Sequence, residues 1–305
     1  MTASFPGVFR RLASGYRRMS ISLLPATVIF LALLLSGCSG SGAVSGKRVL
    51  RIKGSDTMLL LATRWAEEFM QLHPDAAVYV EGGGSATGID ALIEGDVDLC
   101  TASRTLRADE ARRLLEKRGS LGISVLTAKD ALSVYLHPDN PLHNLTQAQL
   151  RGLFTGTITR WDAIGGAPLP VQVISRSPNS GTYLFFEEHI LEGRTYAETA
   201  VIVPTTPAVI RQVQANPGAI GYGGVAYGAE VIHASVDGVA PTQENVMNGT
   251  YPISRYLYLY AAAIPDGLVK EFIDWVLSIA GQQIVHEVGY IPLWDLTKEG
   301  LDVLK

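Results

Sequence analysis

Three short stretches place hydroxyls and glycines where an apolar, strand-like run gives way to a helix-like one: Gly54-Ser55-Asp56-Thr57, GGGSATG from Gly82 to Gly88, and RSPNSGT from Arg176 to Thr182. Hydroxyls are neutral hydrogen-bond donors, and glycine lets the backbone approach a ligand closely. A helix start adds unpaired N–H groups and the positive end of its dipole. The combination suits a phosphate-like oxyanion. Any one junction is also what an ordinary N-cap looks like, but three in one chain are less easily explained that way. Arg176 sharpens it, because a guanidinium at a strand end offers an oxyanion a charge-assisted, two-pronged contact.

Other chemistries find less support. Ser85 sits among glycines like a nucleophile elbow, but Thr87 breaks the G-x-S-x-G pattern. His73, His137, His143, His189, His233 and His286 are scattered, with no metal-ligand spacing and no mark of a general base. A Ser–His hydrolase stays an alternative, since triads assemble in space and not in sequence. The run SGSGAVSGK (Ser39 to Lys47) imitates a P-loop, but Ser41 stands where the first glycine belongs and Arg48 replaces the Ser/Thr. The expectation is a binding protein, not an enzyme, with no metal and no cofactor.

The elements that must hold the three junctions alternate. RVLRIKG, AAVYVEGG and VDLCTAS read as strands, separated by the helical runs DTMLLLATRWAEEFMQLHP and SATGIDALIEG, with RADEARRLLEKR after them. This alternation predicts an α/β sheet of mostly parallel strands, with ligands at the strands' carboxyl ends. A second unit starts at LTQAQLRGLF, where Thr146 and Gln149 form a capping box. It continues through PVQVISR, the helix YLFFEEHIL, TPAVIRQVQANP and the glycine-rich GAIGYGGVAY. GLVKEFIDWVLSIAGQQIVHEVG carries apolar residues at helical spacing throughout. Two long extended segments, ISVLTAKDALSVYLHPDNP and YPISRYLYLYAAA, carry the chain out of the first unit and back. The resulting expectation is two α/β domains, residues 48–132 plus 251–305 and residues 133–250, joined by two hinge crossings and closing over a cleft.

The first residues predict export. Arg10, Arg11, Arg17 and Arg18 precede an apolar run from Ile21 to Leu35 that is short for a spanning helix. The ending Leu35-Ser36-Gly37-Cys38 resembles the lipobox of bacterial lipoproteins, in which the cysteine is lipidated and becomes the new N-terminus. A plain signal peptide or an uncleaved anchor is the alternative. Residues 1–37 then form the signal and 38–47 a flexible tether. Lipidation of Cys38 leaves Cys100, in an apolar run, without an intrachain partner. No disulfide framework is expected, and Cys100 reads as a buried small hydrophobe. Removing the four arginines of the signal, which holds no acid, takes the formal charge from −4 to −8. So acidic an exported protein is a poor nucleic-acid binder, and any anion must be held by local geometry rather than the overall field.

Taken together, GSDTM, GGGSATGI, VDLCTASR, LTQAQLRGLFTGTITRWDAIGG, RSPNSGT with FFEEHIL, GAIGYGGVAY and YPISRYLY resemble the phosphate-binding proteins of bacterial ABC-type phosphate uptake. The resemblance covers roughly residues 48 to 295 and implies the periplasmic binding protein type II fold. It implies that Thr57 and the Met58 amide hold the anion from the first loop and Ser85 from the second. Arg176, Ser180, Gly181 and Thr182 would hold it from the far domain. Some members carry an aspartate after the AS of the third loop, which accepts the proton of hydrogen phosphate; here that position is Arg104. A carboxylate acceptor matters because sulfate has no proton to give it at neutral pH. Asp56 is the candidate replacement, with Arg104 balancing its charge or meeting the anion directly; the plainer alternative has Asp56 only capping the first helix. The candidate site is Ser55, Asp56, Thr57, Met58, Ser85, Arg104, Arg176, Ser180, Gly181 and Thr182.

The implied function is capture of inorganic phosphate outside the cytoplasmic membrane and delivery to an ABC permease, by a monomer anchored through lipid on the periplasmic side or the cell surface. Alternatives are a binding protein for sulfate, molybdate or tungstate, and a phosphate-sensing lipoprotein.

Overall fold

The computed structural model describes residues 47–296. The export signal, the lipobox with Cys38 and the tether up to Gly46 lie outside the described residues.

The first half alternates as the sequence predicts: β1 (Arg48–Gly54), α1 (Leu59–Leu72), β2 (Ala76–Glu81), α2 (Ser85–Glu94), β3 (Leu99–Ala102) and α3 (Ala108–Arg118). Helix α1 forms because its apolar residues recur on one face, and Leu61, Ala62, Trp65, Ala66 and Phe69 bury that face. The first long extended run is a single strand, β4 (Ile123–Leu136). It is followed by β5 (Asn144–Leu145), α4 (Gln147–Phe154), β6 (Gln172–Arg176), α5 (Gly181–His189), β7 (Val201–Val203), α6 (Thr206–Ala215), β8 (Ala219–Gly224), β9 (Ile232–Val236) and α7 (Gln243–Met247). The capping box of α4 is present: Thr146 Oγ1 accepts from the Gln149 amide at 3.1 Å, and the Gln149 side chain accepts from the Thr146 amide at 2.8 Å. The second extended run is β10 (Ser254–Ala261).

The last helical run departs from its periodicity. It forms two helices, α8 (Gly267–Val276) and α9 (Ile279–Val288). Ser278 stops the first by capping the second, its hydroxyl accepting from the Gly281 amide at 3.3 Å. The apolar pattern continues across the break because both helices pack on the same core.

The strands run in the order β2-β1-β3-β10-β4-β8-β6-β7, with β9 pairing β4 and β5. The mostly parallel expectation holds at the two flanks, where β1 pairs β2 and β3, and β6 pairs β7 and β8, in parallel. In the centre the two crossing strands run antiparallel to their neighbours. Strand β4 spans the middle: Ile123 to Ala131 pair with β10, and Leu132 to Leu136 pair with β8. The apolar core is correspondingly divided. One cluster gathers Trp65, Phe69 and Phe272 under β1 and β10, and another gathers Phe154, Trp161, Phe186 and Tyr222 under β6 and β8. Burying each such ring stabilises the fold by about 1.5–3 kcal/mol. The flanking parallel strands therefore have rigid backing, and the carboxyl ends of β1, β2, β3 and β6 present their loops to one another.

Candidate anion-binding site

Helices α1, α2 and α5 all start at these loops, and they are not capped alike. Helix α5 has an ordinary N-cap, with Ser180 Oγ accepting from the Thr182 and Tyr183 amides at 3.2 and 3.4 Å. Helix α1 follows Met58 and α2 follows Gly84, and neither has a side-chain cap. Simple capping therefore accounts for one junction of the three.

The loops meet. Thr57 Oγ1 lies 2.8 Å from Thr182 Oγ1, 125 residues away in sequence. Ser85 Oγ accepts from the Ser103 amide at 3.1 Å. Asn179 Nδ2 donates to the Gly83 carbonyl at 2.8 Å, and the Asn179 carbonyl accepts from the Ala86 amide at 3.1 Å. Gly181 stands at the centre of this junction. A Cβ there would come within 2.7 Å of Ser103 Oγ and closer still to Ser85 Oγ, so only glycine fits. Gly88 does the same service inside α2, where a Cβ would fall 2.5 Å from the Gly54 Cα, so α2 lies directly on β1. Ser55, Thr57, Ser85, Ser180 and Thr182 are all buried. The Thr57 carbonyl is tied down by the hydroxyls of Tyr290 at 2.6 Å and Tyr227 at 3.2 Å, which fixes the first loop.

Two candidate residues behave differently from expectation. The Met58 amide closes a turn on the Ser55 carbonyl at 3.0 Å, and its side chain lies in the core. Its N–H is thus taken by the loop itself. Arg104 neither balances Asp56 nor faces the hydroxyl cluster. Its Nη1 and Nη2 clasp Glu110 at 2.7 and 2.6 Å, and Nη1 also bonds the Thr105 carbonyl at 2.8 Å. Glu110 sits one helical turn into α3 and is nearly fully buried, so a guanidinium is the partner it requires. Burial raises the Glu110 carboxyl, but hydrogen bonds from Arg104 and the Arg107 amide outweigh it and hold the group below the usual range.

Asp56 finds a partner in Arg176 instead. Arg176 Nη2 donates to Asp56 Oδ2 at 2.8 Å, and the Gly83 amide donates to Asp56 Oδ1 at 2.9 Å. The plainer expectation, that Asp56 caps α1, is not what the side chain does. Arg176 is 1% exposed. Its other bonds run from Nε and Nη2 to the Pro204 carbonyl and from Nη1 to Thr206 Oγ1. Four of its five N–H groups are thus occupied by the protein, leaving one on Nη1. Burial pulls the Arg176 pKa down from its ordinary value, and the charge of Asp56 pulls it back.

A second buried ion pair adjoins the cluster, and the sequence reading missed it. Arg255 of β10 bonds Asp130 of β4 through Nε and Nη2 at 3.0 and 2.8 Å, and Nη2 also reaches Thr182 Oγ1 at 3.0 Å. One acid in the apolar ALSV-flanked stretch of β4 and one arginine among the aromatics of YPISRYLYLY were the available signals, since unpaired charge is not buried in a strand. Ser103 was likewise missed beside Arg104. A cleft of about 680 Å³ opens beside the cluster, lined among others by Arg104, Phe185, Arg255 and Tyr258, and Arg255 is common to cleft and cluster.

The hydroxyls share a polarity. Ser85, Ser180 and Thr182 each accept a bond from a protein N–H, which frees the single hydrogen of each to donate elsewhere. Apart from the committed oxygens of Asp56, the cluster offers donors. Such a site stabilises an anion in dehydrated surroundings without bringing a full countercharge to it. Among the described residues, no group of three or more His, Cys, Asp or Glu side chains is placed to hold a metal ion.

A sequence profile of the PBP superfamily domain matches residues 41–279. The chain is similar to the phosphate-binding protein PstS of Pseudomonas aeruginosa, 34% identical over 83% of this chain and 85% of that one. It is 32% identical to the phosphate-binding protein PstS of Bacillus subtilis over 85% of each chain. Among solved structures, a Clostridium perfringens protein with bound phosphate aligns with a TM-score of 0.76 at 31% identity, over 81% of this chain and all of that one. An ABC-type phosphate transport receptor from Vibrio cholerae aligns with a TM-score of 0.67 at 30% identity, over 79% of this chain and 99% of that one.

Proposed function

Because this chain belongs to the PBP superfamily and to its PstS-like phosphate-binding proteins, with their periplasmic type II fold, we propose that it captures inorganic phosphate outside the cytoplasm and delivers it to an ABC permease. The observation that carries the reading is the meeting of Thr57, Ser85 and Thr182 at three helix starts, with Arg176 alongside. Tetrahedral oxyanions need several converging donors, and these come from three loops that no local structure requires to touch. The role is binding and release, with no covalent step.

Ser55, Thr57, Ser85, Arg176, Ser180, Gly181 and Thr182 form the anion shell, and Asp56 tunes it. Residues 48–132 with 251–305 form one domain and 133–250 the other, and they move about β4 and β10. Phosphate shifts this equilibrium toward the closed form, which the permease reads. The protein acts as a monomer anchored by lipid at Cys38.

Calorimetric titration of the purified protein with phosphate, sulfate and molybdate tests the reading. Phosphate is expected to bind at least about 100-fold more tightly than sulfate, the margin of a site that leaves polar groups unpaired against the wrong anion. Tighter binding of sulfate or molybdate overturns the assignment. Deletion of the gene is expected to lower phosphate uptake; intact uptake with altered phosphate-dependent signalling favours a sensor.

A further inference from the structure

We propose that Arg255, held by Asp130, is a positioning residue of the anion site that holds Thr182 as an acceptor, so that one hydroxyl of the Thr182–Thr57 pair is a donor aimed at the bound anion. The inference rests on the reading of this cluster as a phosphate site. Arg255 comes from β10, outside all of the anion loops. Its Nη2 bonds Thr182 Oγ1 at 3.0 Å, and Nη1 bonds the Ser103 carbonyl at 3.2 Å. The face of Phe185 covers the guanidinium at 5.4 Å. A guanidinium has no lone pair, so Thr182 can only accept from it.

A direction follows. Thr182 carries one hydroxyl hydrogen, which must point to Thr57 Oγ1, 2.8 Å away, or to the anion. In the first case Thr57 accepts, and its own hydrogen is passed outward. In the second, Thr182 donates to the anion itself. There Thr57 donates to Thr182 in turn, so in either arrangement one hydroxyl hydrogen of the pair is left for the anion, and the bond from Arg255 to Thr182 polarises it.

Asp130 makes this possible without a surplus charge. Its side chain is fully buried, with Oδ2 on Arg255 and Oδ1 on the Val225 amide at 3.1 Å. The pair is neutral as a unit, so it acts on the anion by orienting hydroxyls and not by net attraction. Arg176 differs, since it belongs to an anion loop itself and pairs with Asp56 of another.

The test is a double-mutant cycle read by titrating the purified full chain with inorganic phosphate. Arg255→Gln combined with Asp130→Asn removes both charges together, so no ion is left buried alone. This neutral pair is expected to weaken binding by about 10- to 100-fold, and Thr182→Val by a similar factor. The three changes together should be no worse than Thr182→Val alone, within about twofold, because Arg255 acts through that hydroxyl. A packing role or a direct contact multiplies the two losses instead, and multiplied losses overturn the proposal. So does unchanged affinity in the neutral pair. If that variant does not fold, Arg255→Lys runs the same cycle, keeping the charge against Asp130 but lacking the fork that also reaches Thr182. Failure of the unchanged protein to bind phosphate overturns the functional reading and this proposal with it, so the two failures are told apart at the first titration.

Discussion

Asp56→Asn separates the two things Asp56 does. Its Oδ1 takes the Gly83 amide and its Oδ2 takes Arg176, both from donors. Asparagine keeps one oxygen, so one of these bonds must face an NH2 group and is lost. Breaking a buried ion pair costs about 3–5 kcal/mol, and the retained hydrogen bond returns about 1 kcal/mol. The ligand-free protein should therefore lose about 2–4 kcal/mol, a fall in melting temperature of very roughly 5–15 °C for a body of this size. Phosphate then supplies the charge that Arg176 has lost, so the upward shift on adding phosphate should exceed that of the unchanged protein. Selectivity should move as well. A carboxylate beside the site repels sulfate and accepts the proton of hydrogen phosphate; without it the phosphate-to-sulfate affinity ratio should fall about 10-fold or more, one charge-assisted hydrogen bond's worth. Melting with and without phosphate, and titration with both anions, measure each part. An unshifted melt refutes the buried-pair argument, and an unshifted ratio refutes the role of Asp56 as the acceptor.

Gly181→Ala should leave the fold intact but weaken phosphate binding by about 10- to 100-fold, because the new methyl pushes Ser85 and Ser103 apart at an overpacking cost of about 1–3 kcal/mol; titration beside a melting curve checks this, and near-normal affinity would contradict the contact. Arg104→Gln should do the reverse, lowering stability by about 1–3 kcal/mol, since Glu110 keeps only the Arg107 amide and the more exposed Arg107 guanidinium at 3.4 Å, while phosphate affinity stays within about threefold; a large loss of affinity in a stable variant would return Arg104 to the site. His233 should give the protein a pH dependence. Burial lowers its pKa, and its ring bonds Ser133 Oγ at 2.8 Å and the Gly228 carbonyl at 2.9 Å in the neutral form. A folded-state pKa below the unfolded value means the contribution is complete above about pH 6.5 and is lost as pH falls below it. Denaturant melts from pH 7.5 to 5 should show that slope, flattened in His233→Gln.

Much of the fold was legible because its signals are local. The periodicity of α1, the Thr146–Gln149 capping box and the unbroken runs of β4 and β10 each reside in fewer than twenty consecutive residues. The helix break at Ser278 was missed for the complementary reason: both helices turn apolar faces to one core, so hydrophobic spacing runs through a stop made by a single hydroxyl. Parallel pairing was legible at the flanks, where a helix links each pair of strands, and not at the centre, where β10 meets β3 and β4 from the other direction.

Within the site the division is sharper, and it follows charge. Hydroxyl and glycine junctions announce themselves, because the residues that build a helix start are adjacent in the chain. Ion pairs do not. Asp56 and Arg176 are 120 residues apart, and Asp130 and Arg255 are 125 apart. Arg104, by contrast, is six residues from the carboxylate it pairs with, and reading it as a ligand overlooked that local partner. A buried arginine must have a carboxylate, so the useful question for each candidate arginine is which acid can reach it before the ligand does. Arg104 is answered by Glu110 within its own loop and helix, which turns it away from the hydroxyl cluster. Arg176 is answered by Asp56, which itself lies in a junction loop, so that pair stays beside the hydroxyl cluster.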